Sequence, residues 1–154
     1  MSTRILMVCL GNICRSPLAE GVFRHLVDSA GLSEDFTVDS AGTGGWHVGN
    51  PPHQGSIDIA LARGIDIRNQ RSRQVQPAEL EHWDWIIAMD ESNHANLLRM
   101  GAPAERTRLL LSFIPPGYRR GVPDPYYEGG FDRVLELVES GCTHLLDFIQ
   151  NQGH

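Results

Sequence analysis

Short apolar runs alternate with longer segments of helical periodicity along this chain of 154 residues. Four runs have the length and character of buried strands, at residues 5–8, 36–40, 85–89 and 108–111. Apolar or helix-favouring patterns predict helices within residues 17–31, 51–64, 92–100 and 131–149. Strands that alternate with helices favour a parallel sheet covered on both faces. Such sheets bind ligands at the carboxyl ends of their strands, where Cys9, Ser40 and Asp90 fall in this sequence.

Several residues mark the expected ends of these helices. Ser16 is a good helix cap and Pro17 a good first residue, so the first helix should begin there and end near Gly31. Pro51-Pro52 should open the second helix, and Gly64 should close it.

Composition limits the class of protein. A length of 154 residues suits one domain, expected over residues 1–154. The net charge of −6 argues against nucleic acid as a partner, and all thirteen basic residues are arginine, which excludes lysine chemistry. The run at 5–8 is too short for a signal peptide, and no run approaches the length of a membrane span. Three cysteines without paired spacing indicate a reducing compartment, so the expected location is the cytoplasm, without membrane insertion.

The segment from Cys9 to Pro17 has the features of an anion site. Cys9 leaves a strand, and Arg15 arrives six residues later at a helix N-terminus. Between them, Gly11 and Asn12 tolerate positive φ, which lets a loop turn its N–H groups inward. Orphan N–H groups and the helix dipole favour both a bound oxyanion and a cysteine thiolate. A buried structural cysteine is the alternative, but the strand–loop–helix context favours a phosphate site that contains a nucleophile.

Asp124 is the best candidate for a proton donor. A thiolate that attacks a phosphate monoester needs an acid for the leaving group. Pro123 and Pro125 stiffen the backbone around Asp124, and the adjacent Tyr126 and Tyr127 offer a flat wall for an aromatic substrate. Taken alone, the segment fits a surface turn with a solvated aspartate at least as well.

Taken together, these motifs resemble those of the low-molecular-weight protein tyrosine phosphatases. The resemblance covers nearly the whole chain, through residues 9–17, 39–43, 89–93 and 124–127. It implies an α/β fold, a single-domain three-layer α/β/α sandwich with a four-stranded parallel sheet. This is the flavodoxin-like, phosphotyrosine protein phosphatase I-like arrangement.

The resemblance also implies roles for three residues. Cys9 would be the nucleophile that forms a phosphocysteine intermediate. Arg15 would bind two phosphoryl oxygens at once with its planar guanidinium. Asp124 would act as general acid in the first step and as the base that activates water in the second. No cofactor is implied, and no metal, since the histidines and cysteines lack ligand spacing.

Other residues of the loop would support this chemistry. Ser16 would donate a hydrogen bond to the Cys9 sulfur, and Asn12 would hold the strained turn with Ser40 behind it. Cys14 matches the family's redox partner, which forms a protective disulfide with Cys9; a small apolar residue packed under the loop is the alternative. Cys142 falls on the apolar face of the last helix and is expected in the core. The predicted phosphate-binding and loop-support residues are Leu10, Gly11, Asn12, Ile13, Cys14, Ser16 and Ser40.

Aromatic residues favour phosphotyrosine as the substrate. The resemblance makes Trp46, Tyr126 and Tyr127 the predicted substrate-binding residues, with Leu10 and Ile13 at the loop, because the matching residues of the family line a slot for an aromatic ring. Trp46 is expected at the rim, with a half-buried core position as the alternative. A related branch that dephosphorylates arginine carries threonine where this chain has Ile13, and Ile13 cannot accept a guanidinium.

Three alternatives to tyrosine phosphatase activity fit the sequence less well. A protein-arginine phosphatase conflicts with the side chain at position 13. A thioredoxin-coupled arsenate reductase needs further cysteines in the middle of the chain, and residues 65–130 contain none. A non-catalytic phosphate-binding module would lack the nucleophile, the arginine or the acid, and all three are present.

Gln70 stands where many members of the family have a histidine that supports the loop.

The expected partner is a phosphotyrosine-containing protein. A bacterial tyrosine kinase that controls polysaccharide export, another phosphoprotein and a host protein all fit the sequence. Exposed aromatic residues near the site leave a monomer or weak self-association as the expected states.

Overall fold

The computed structural model describes residues 2–115, 121–125 and 130–152. Its sheet contains four parallel strands in the order β2-β1-β3-β4. The strands are β1 (Thr3–Cys9), β2 (Phe36–Gly42), β3 (Trp85–Ala88) and β4 (Thr107–Leu109). The helices are α1 (Arg15–Ser29), α2 (Gln54–Leu61), α3 (Glu91–Arg99) and α4 (Phe131–Gln152). The predicted α/β fold with a parallel sheet is confirmed.

The register of the sheet brings the strand ends to one edge. Cys9, the last residue of β1, pairs with Gly42 at the end of β2. On the other side of β1, Val8 pairs with Ala88 at the end of β3. The loops that follow β1, β2 and β3 therefore meet at the same edge of the sheet.

Alternating side chains of β1 enter two separate cores. Ile5, Met7 and Cys9 pack with α1, α2 and α4 on one face of the sheet. Leu6 and Val8 pack on the opposite face, with α3 and a 3-10 helix over Pro77–His82. Each apolar side chain buried in this way is worth about 1.5–3 kcal/mol relative to exposure. Helices thus cover both faces, and none in the described part of the chain is long and apolar enough to cross a membrane.

Two predicted helix starts are displaced. Helix α1 begins at Arg15 and its cap position is Cys14, so Ser16 does not cap it. The hydroxyl of Ser16 instead lies within hydrogen-bond distance of the Cys9 sulfur. Helix α2 begins at Gln54, after the Pro51-Pro52 pair, and His53 caps it by accepting the N–H of Gly55.

The fourth strand is shorter than predicted. It ends at Leu109, and residues 110 and 111 belong to a 3-10 helix over Leu110–Phe113. Both leucines are buried. A Cβ on Gly141 of α4 would lie 2.6 Å from Cγ of Leu110, so the helix backbone packs directly on this side chain. The apolar run reflects helix packing at its end rather than sheet pairing.

Candidate active site

Cys9 lies at the edge of the sheet with its sulfur inside the following loop. The residue is 2% exposed. Its Sγ accepts the backbone N–H of Asn12 at 3.2 Å and lies 2.9 Å from Oγ of Ser16. Asn12 has φ of 57°, the left-handed conformation that its residue type tolerates. Gly11 does not share that conformation, so Asn12 alone makes the turn that directs its N–H towards the sulfur.

The Asn12 side chain determines the direction of the hydrogen bonds around Cys9. Its Oδ1 accepts the backbone N–H of Arg73 at 3.0 Å, which places Nδ2 on the other side. Nδ2 donates to Oγ of Ser16 at 2.8 Å and to Oγ of Ser40 at 3.0 Å. Because an amide nitrogen only donates, the Ser16 oxygen must accept this bond. The Ser16 proton is then available for the sulfur of Cys9.

Glu20 ends this chain of hydrogen bonds inside the protein. Its carboxylate accepts the Ser40 hydroxyl at 2.7 Å and pairs with Arg24 at 2.9 Å. Burial raises the pKa of Glu20, against the opposing effects of Ser40 and Arg24. Sequence reasoning missed this residue, although an acidic side chain on the buried side of α1 is a signal of a paired polar site.

Arg15 is buried among carboxylates and its guanidinium has one edge without strong partners. Nη1 donates to Oδ2 of Asp90 at 2.6 Å and to the carbonyl of Val122 at 3.1 Å. Nη2 lies 3.5 Å from Oδ2 of Asp124, and Nε has no hydrogen-bond partner among the described residues. Burial alone lowers the pKa of Arg15, but Cys9 and Asp90 outweigh it and the net shift is upward. Arg15 therefore remains a cation in the site.

Asp90 and Asp124 reach Arg15 from two segments that are joined at their backbones. Asp90 caps α3, because its Oδ1 accepts the N–H of Asn93 at 2.7 Å. The N–H of Val122 donates to the carbonyl of Met89 at 2.7 Å. A Cβ on Gly121 would lie 2.3 Å from Cβ of Asp90, so only glycine permits this approach. The segment with Asp124 is thereby anchored beside the end of β3.

Cys9, Arg15 and Asp124 share a cavity of about 320 Å³. It is lined by Cys9, Leu10, Gly11, Ile13, Cys14, Arg15, Trp46, His47 and Asp124. Trp46 is 72% exposed, as expected for a rim position, so the alternative of a half-buried core tryptophan is wrong. Sequence reasoning missed His47, which follows Trp46 directly. The predicted substrate residues Tyr126 and Tyr127 lie outside the described residues.

The three cysteines are free thiols in this structure. Burial raises the pKa of Cys14 to about 12, and the negative charges of Cys9 and Asp124 add to the effect. Cys142 is fully buried in the core as predicted, and burial raises the pKa of its thiol as well. A disulfide between Cys9 and Cys14 stays a prediction.

Gln70 contacts the helix that follows the phosphate loop. Its Nε2 donates to the carbonyl of Pro17 at 3.2 Å, in the first turn of α1. Within the described residues, no group of three or more histidine, cysteine, aspartate or glutamate side chains could hold a metal ion.

The geometry defines an α/β protein with a cavity that brings together a cysteine, an arginine and an aspartate. The family model for low molecular weight phosphotyrosine protein phosphatase matches residues 4–154. The chain is 44% identical to the low molecular weight protein-tyrosine-phosphatase YfkJ of Bacillus subtilis over 150 residues, 96% of each protein. It is 42% identical to a low molecular weight phosphotyrosine protein phosphatase of Schizosaccharomyces pombe, over 96% of this chain and 93% of that protein.

Solved structures agree with these sequence matches. The crystal structure of YfkJ superposes with a TM-score of 0.96 at 42% identity, covering 100% of this chain and 98% of that one. A protein tyrosine phosphatase of Entamoeba histolytica superposes with a TM-score of 0.91 at 33% identity, covering 99% and 100%. The chain belongs to the low-molecular-weight protein tyrosine phosphatase family. It is therefore a hydrolase of the protein-tyrosine-phosphatase class, and its fold is the flavodoxin-like arrangement expected from the sequence.

Proposed function

We propose that this enzyme hydrolyses phosphotyrosine by two displacements on the sulfur of Cys9, without a metal ion. In the first step the thiolate attacks phosphorus, the bond to the tyrosine oxygen breaks, and Asp124 gives its proton to that oxygen. In the second step Asp124 takes a proton from water, which attacks the phosphocysteine and releases inorganic phosphate and the thiolate. The observation that carries this proposal is the position of Cys9, Arg15 and Asp124 around one cavity.

The surroundings of the sulfur support its use as nucleophile and leaving group. The N–H of Asn12 and the hydroxyl of Ser16 both lie within hydrogen-bond distance of Sγ. Hydrogen bonds to a charged atom are stronger than those to a neutral one. They therefore stabilise the thiolate before the first step and again when it departs in the second.

The open edge of Arg15 supports its role in binding the phosphoryl group. Nη1 is fully used by Asp90 and Val122, whereas Nε and Nη2 share the edge with at most one long contact. Two parallel N–H groups on one edge match two oxygens of a phosphoryl group. As those oxygens gain negative charge in the transition state, the interaction strengthens, which is how such donors accelerate a reaction.

The two contacts of Arg15 with carboxylates support different roles for Asp90 and Asp124. The contact with Asp90 is short, at 2.6 Å, and Asp90 is also fixed as the cap of α3. The contact with Asp124 is long, at 3.5 Å. Asp90 thus serves as the permanent counterion, and Asp124 is the carboxylate that can exchange Arg15 for the oxygen of a leaving group.

Apolar side chains at the cavity support an aromatic ester as substrate. Ile13 is 8% exposed at the cavity, and Leu10 and Trp46 also line it. None of these three side chains can accept a hydrogen bond from a phosphoarginine guanidinium. The predicted wall of Tyr126 and Tyr127 would complete the binding site for the ring.

The biological setting that we propose follows the sequence expectations. The substrate is a phosphotyrosine protein, and a bacterial tyrosine kinase is the partner proposed first. The enzyme acts in the cytoplasm as one domain over residues 1–154, as a monomer or in weak self-association. Comparing phosphotyrosine levels of total protein in cells with and without the Cys9→Ser enzyme would test the substrate class.

Hydrolysis of an aryl phosphate in EDTA tests the chemistry. Wild type should be active, and Cys9→Ser should be inactive. Asp124→Asn should lose about 10²–10⁴-fold in kcat, the usual contribution of a general acid. Asp66→Asn, at an exposed ion pair with Arg68 away from the cavity, is the matched control and should keep wild-type activity.

An inert wild type or an active Cys9→Ser enzyme would overturn the mechanism. Substrate preference is tested separately, with phosphotyrosine and phosphoarginine versions of one peptide. We expect the phosphotyrosine peptide to have the higher kcat/KM, and a preference for phosphoarginine would overturn the assignment based on Ile13.

A further inference from the structure

Ser72 contacts the phosphate loop from behind. It is 5% exposed and lies in the segment before the 3-10 helix at Pro77–His82. Its Oγ donates to the carbonyl oxygen of Gly11 at 2.9 Å. Its backbone N–H donates to Asn50 and its carbonyl accepts from Gly49, each at 2.8 Å. Ser72 therefore joins the phosphate loop to the loop that carries Trp46.

The peptide unit that Ser72 contacts is also the unit that faces the nucleophile. The C=O of Gly11 and the N–H of Asn12 belong to one planar peptide and point in opposite directions. The oxygen accepts from Ser72, and the N–H donates to Sγ of Cys9 at 3.2 Å. Rotating this peptide away from the sulfur would break the Ser72 bond. A donor on the carbonyl also polarises the peptide and strengthens its N–H as a donor.

We propose that Ser72 is a positioning residue for the nucleophile. It holds the Gly11–Asn12 peptide so that the N–H stays on the Cys9 sulfur, both before attack and when the thiolate departs. This inference rests on the proposed function of Cys9, because it assigns Ser72 a role in the reactivity of that sulfur. The same contact holds the positive φ of Asn12, which is unusual for a residue other than glycine.

The test compares Ser72→Ala with Ser72→Thr, which keeps the hydroxyl. Kinetics with an aryl phosphate and the rate of Cys9 alkylation by iodoacetamide as a function of pH are the two measurements. We expect Ser72→Ala to lower kcat about three- to tenfold, the value of one hydrogen bond, with little change in KM. Half-maximal alkylation should move to higher pH, and Ser72→Thr should restore both properties.

Ser56→Ala is the matched control for the alkylation measurement. It removes another buried serine that donates to a carbonyl of the same loop, that of Cys14 at 3.2 Å. That carbonyl belongs to a different peptide unit from the one that donates to the sulfur. The alkylation profile should therefore stay at its wild-type pH in Ser56→Ala.

Three results would overturn the role of Ser72. They are an unchanged kcat in folded Ser72→Ala, an unchanged alkylation profile, and an equal shift in Ser56→Ala. Failure of the proposed function would look different, because wild type itself would then be inert or Cys9→Ser active.

A second cavity adjoins the first across Trp46, and it carries an independent inference. Its volume is about 330 Å³. It is lined by Leu10, Thr43, Gly44, Trp46, Asn96, Arg99 and Met100. Leu10 and Trp46 line both cavities, so a substrate peptide with its phosphotyrosine in the first passes the rim of the second.

Arg99 gives this second cavity a positive charge. The side chain is exposed in the last turn of α3 and donates to the neutral Oδ1 of Asn96 at 2.6 Å. Among the described residues, no carboxylate lies within ion-pair distance of Arg99. This is notable in a chain of net charge −6, where most described arginines have acidic partners. A bound carboxylate would complete the guanidinium's hydrogen bonding.

The geometry points to a subsite for an acidic residue beside the phosphotyrosine, with its carboxylate on Arg99. Like the first inference, it rests on the proposed function. Two phosphotyrosine peptides that differ only by Glu or Gln at flanking positions test it. We expect the ratio of their kcat/KM values to favour Glu by about two- to fivefold, as for an exposed ion pair. In Arg99→Gln this ratio should fall to one, whereas hydrolysis of phenyl phosphate should stay unchanged.

Arg68→Gln removes another exposed guanidinium elsewhere and serves as the control, with the wild-type ratio expected. A Glu to Gln ratio of one in wild type, or a ratio that survives in Arg99→Gln, would overturn the subsite. Both outcomes leave hydrolysis of phenyl phosphate intact, which separates them from failure of the proposed function.

Discussion

The carboxylate of Asp90 performs two tasks, and substitution by asparagine separates them. Oδ1 accepts the N–H of Asn93 and caps α3, whereas Oδ2 accepts from Arg15 at 2.6 Å. Asparagine caps helices about as well as aspartate, so Asp90→Asn keeps the cap and removes the charge. The Arg15 side chain is 3% exposed and that of Asp90 28%, so solvent screens the pair only in part.

The expected loss of stability follows from these contacts. A hydrogen bond to a charged group is worth about 1.5–3 kcal/mol, and the change leaves Arg15 with the long contact to Asp124 as its one carboxylate partner among the described residues. Asp90→Asn should therefore lower the free energy of unfolding by about 2–3 kcal/mol. Asp90→Ala also removes the cap and should cost about 1 kcal/mol more.

Urea denaturation of the three proteins measures both values. Inorganic phosphate should stabilise each variant, because it supplies Arg15 with a new anionic partner. A loss below about 0.5 kcal/mol in Asp90→Asn, the range of ordinary surface changes, would refute the assignment of Asp90 as the counterion. Equal stabilities of Asp90→Asn and Asp90→Ala would refute its role as the helix cap.

Three further predictions concern other parts of the structure. In Gly44→Ala the new Cβ would lie 1.8 Å from the Trp46 ring, so Trp46 must move. KM for a phosphotyrosine peptide should therefore rise. Stability should change little, because Trp46 is exposed. At neutral pH one equivalent of iodoacetamide should label Cys9 and leave Cys14 unlabelled, because burial raises the pKa of Cys14 to about 12. Label found on Cys14 by peptide mapping would contradict this. The pKa of Glu20 is raised in the folded protein, so its protonated form stabilises the fold at low pH. As pH rises from about 4, the free energy of unfolding of wild type should fall relative to that of Glu20→Gln. A difference between the two proteins that does not depend on pH would contradict the raised pKa of Glu20.

The fold followed from the sequence because its central strands, β1 and β3, are buried on both faces. A central parallel strand such as β1 reads as a continuous apolar run, and the helices show their buried faces by periodicity. The same signal failed at Leu110 and Leu111, since burial by a helix and burial in a strand give the same short apolar run.

The site residues that could be predicted are those whose chemistry follows from their residue type. The residues that were missed are those whose role depends on partners that the fold brings close. Cys9, Arg15 and Asp124 line one cavity, as the motifs indicated. Glu20 and Ser72 were missed, because a glutamate and a serine take their meaning here from partners 20 and 61 residues away in sequence. The predicted start of α1 was wrong because Ser16 also takes its role from partners that the fold brings close. Ser16 has the residue type of a cap, but its hydroxyl is used by Cys9 and Asn12.

The proposed mechanism requires that the phosphoryl group is bonded to the sulfur of Cys9 between its two steps. Rapid acid quenching of wild type during turnover of an aryl phosphate, followed by mass mapping, measures this directly. We expect a phosphoryl adduct on the peptide that contains Cys9. Asp124→Asn should accumulate more of the adduct when the leaving group needs no protonation, because the second step then lacks its base. A phosphoryl group on another residue, or turnover with no adduct in either protein, would contradict it.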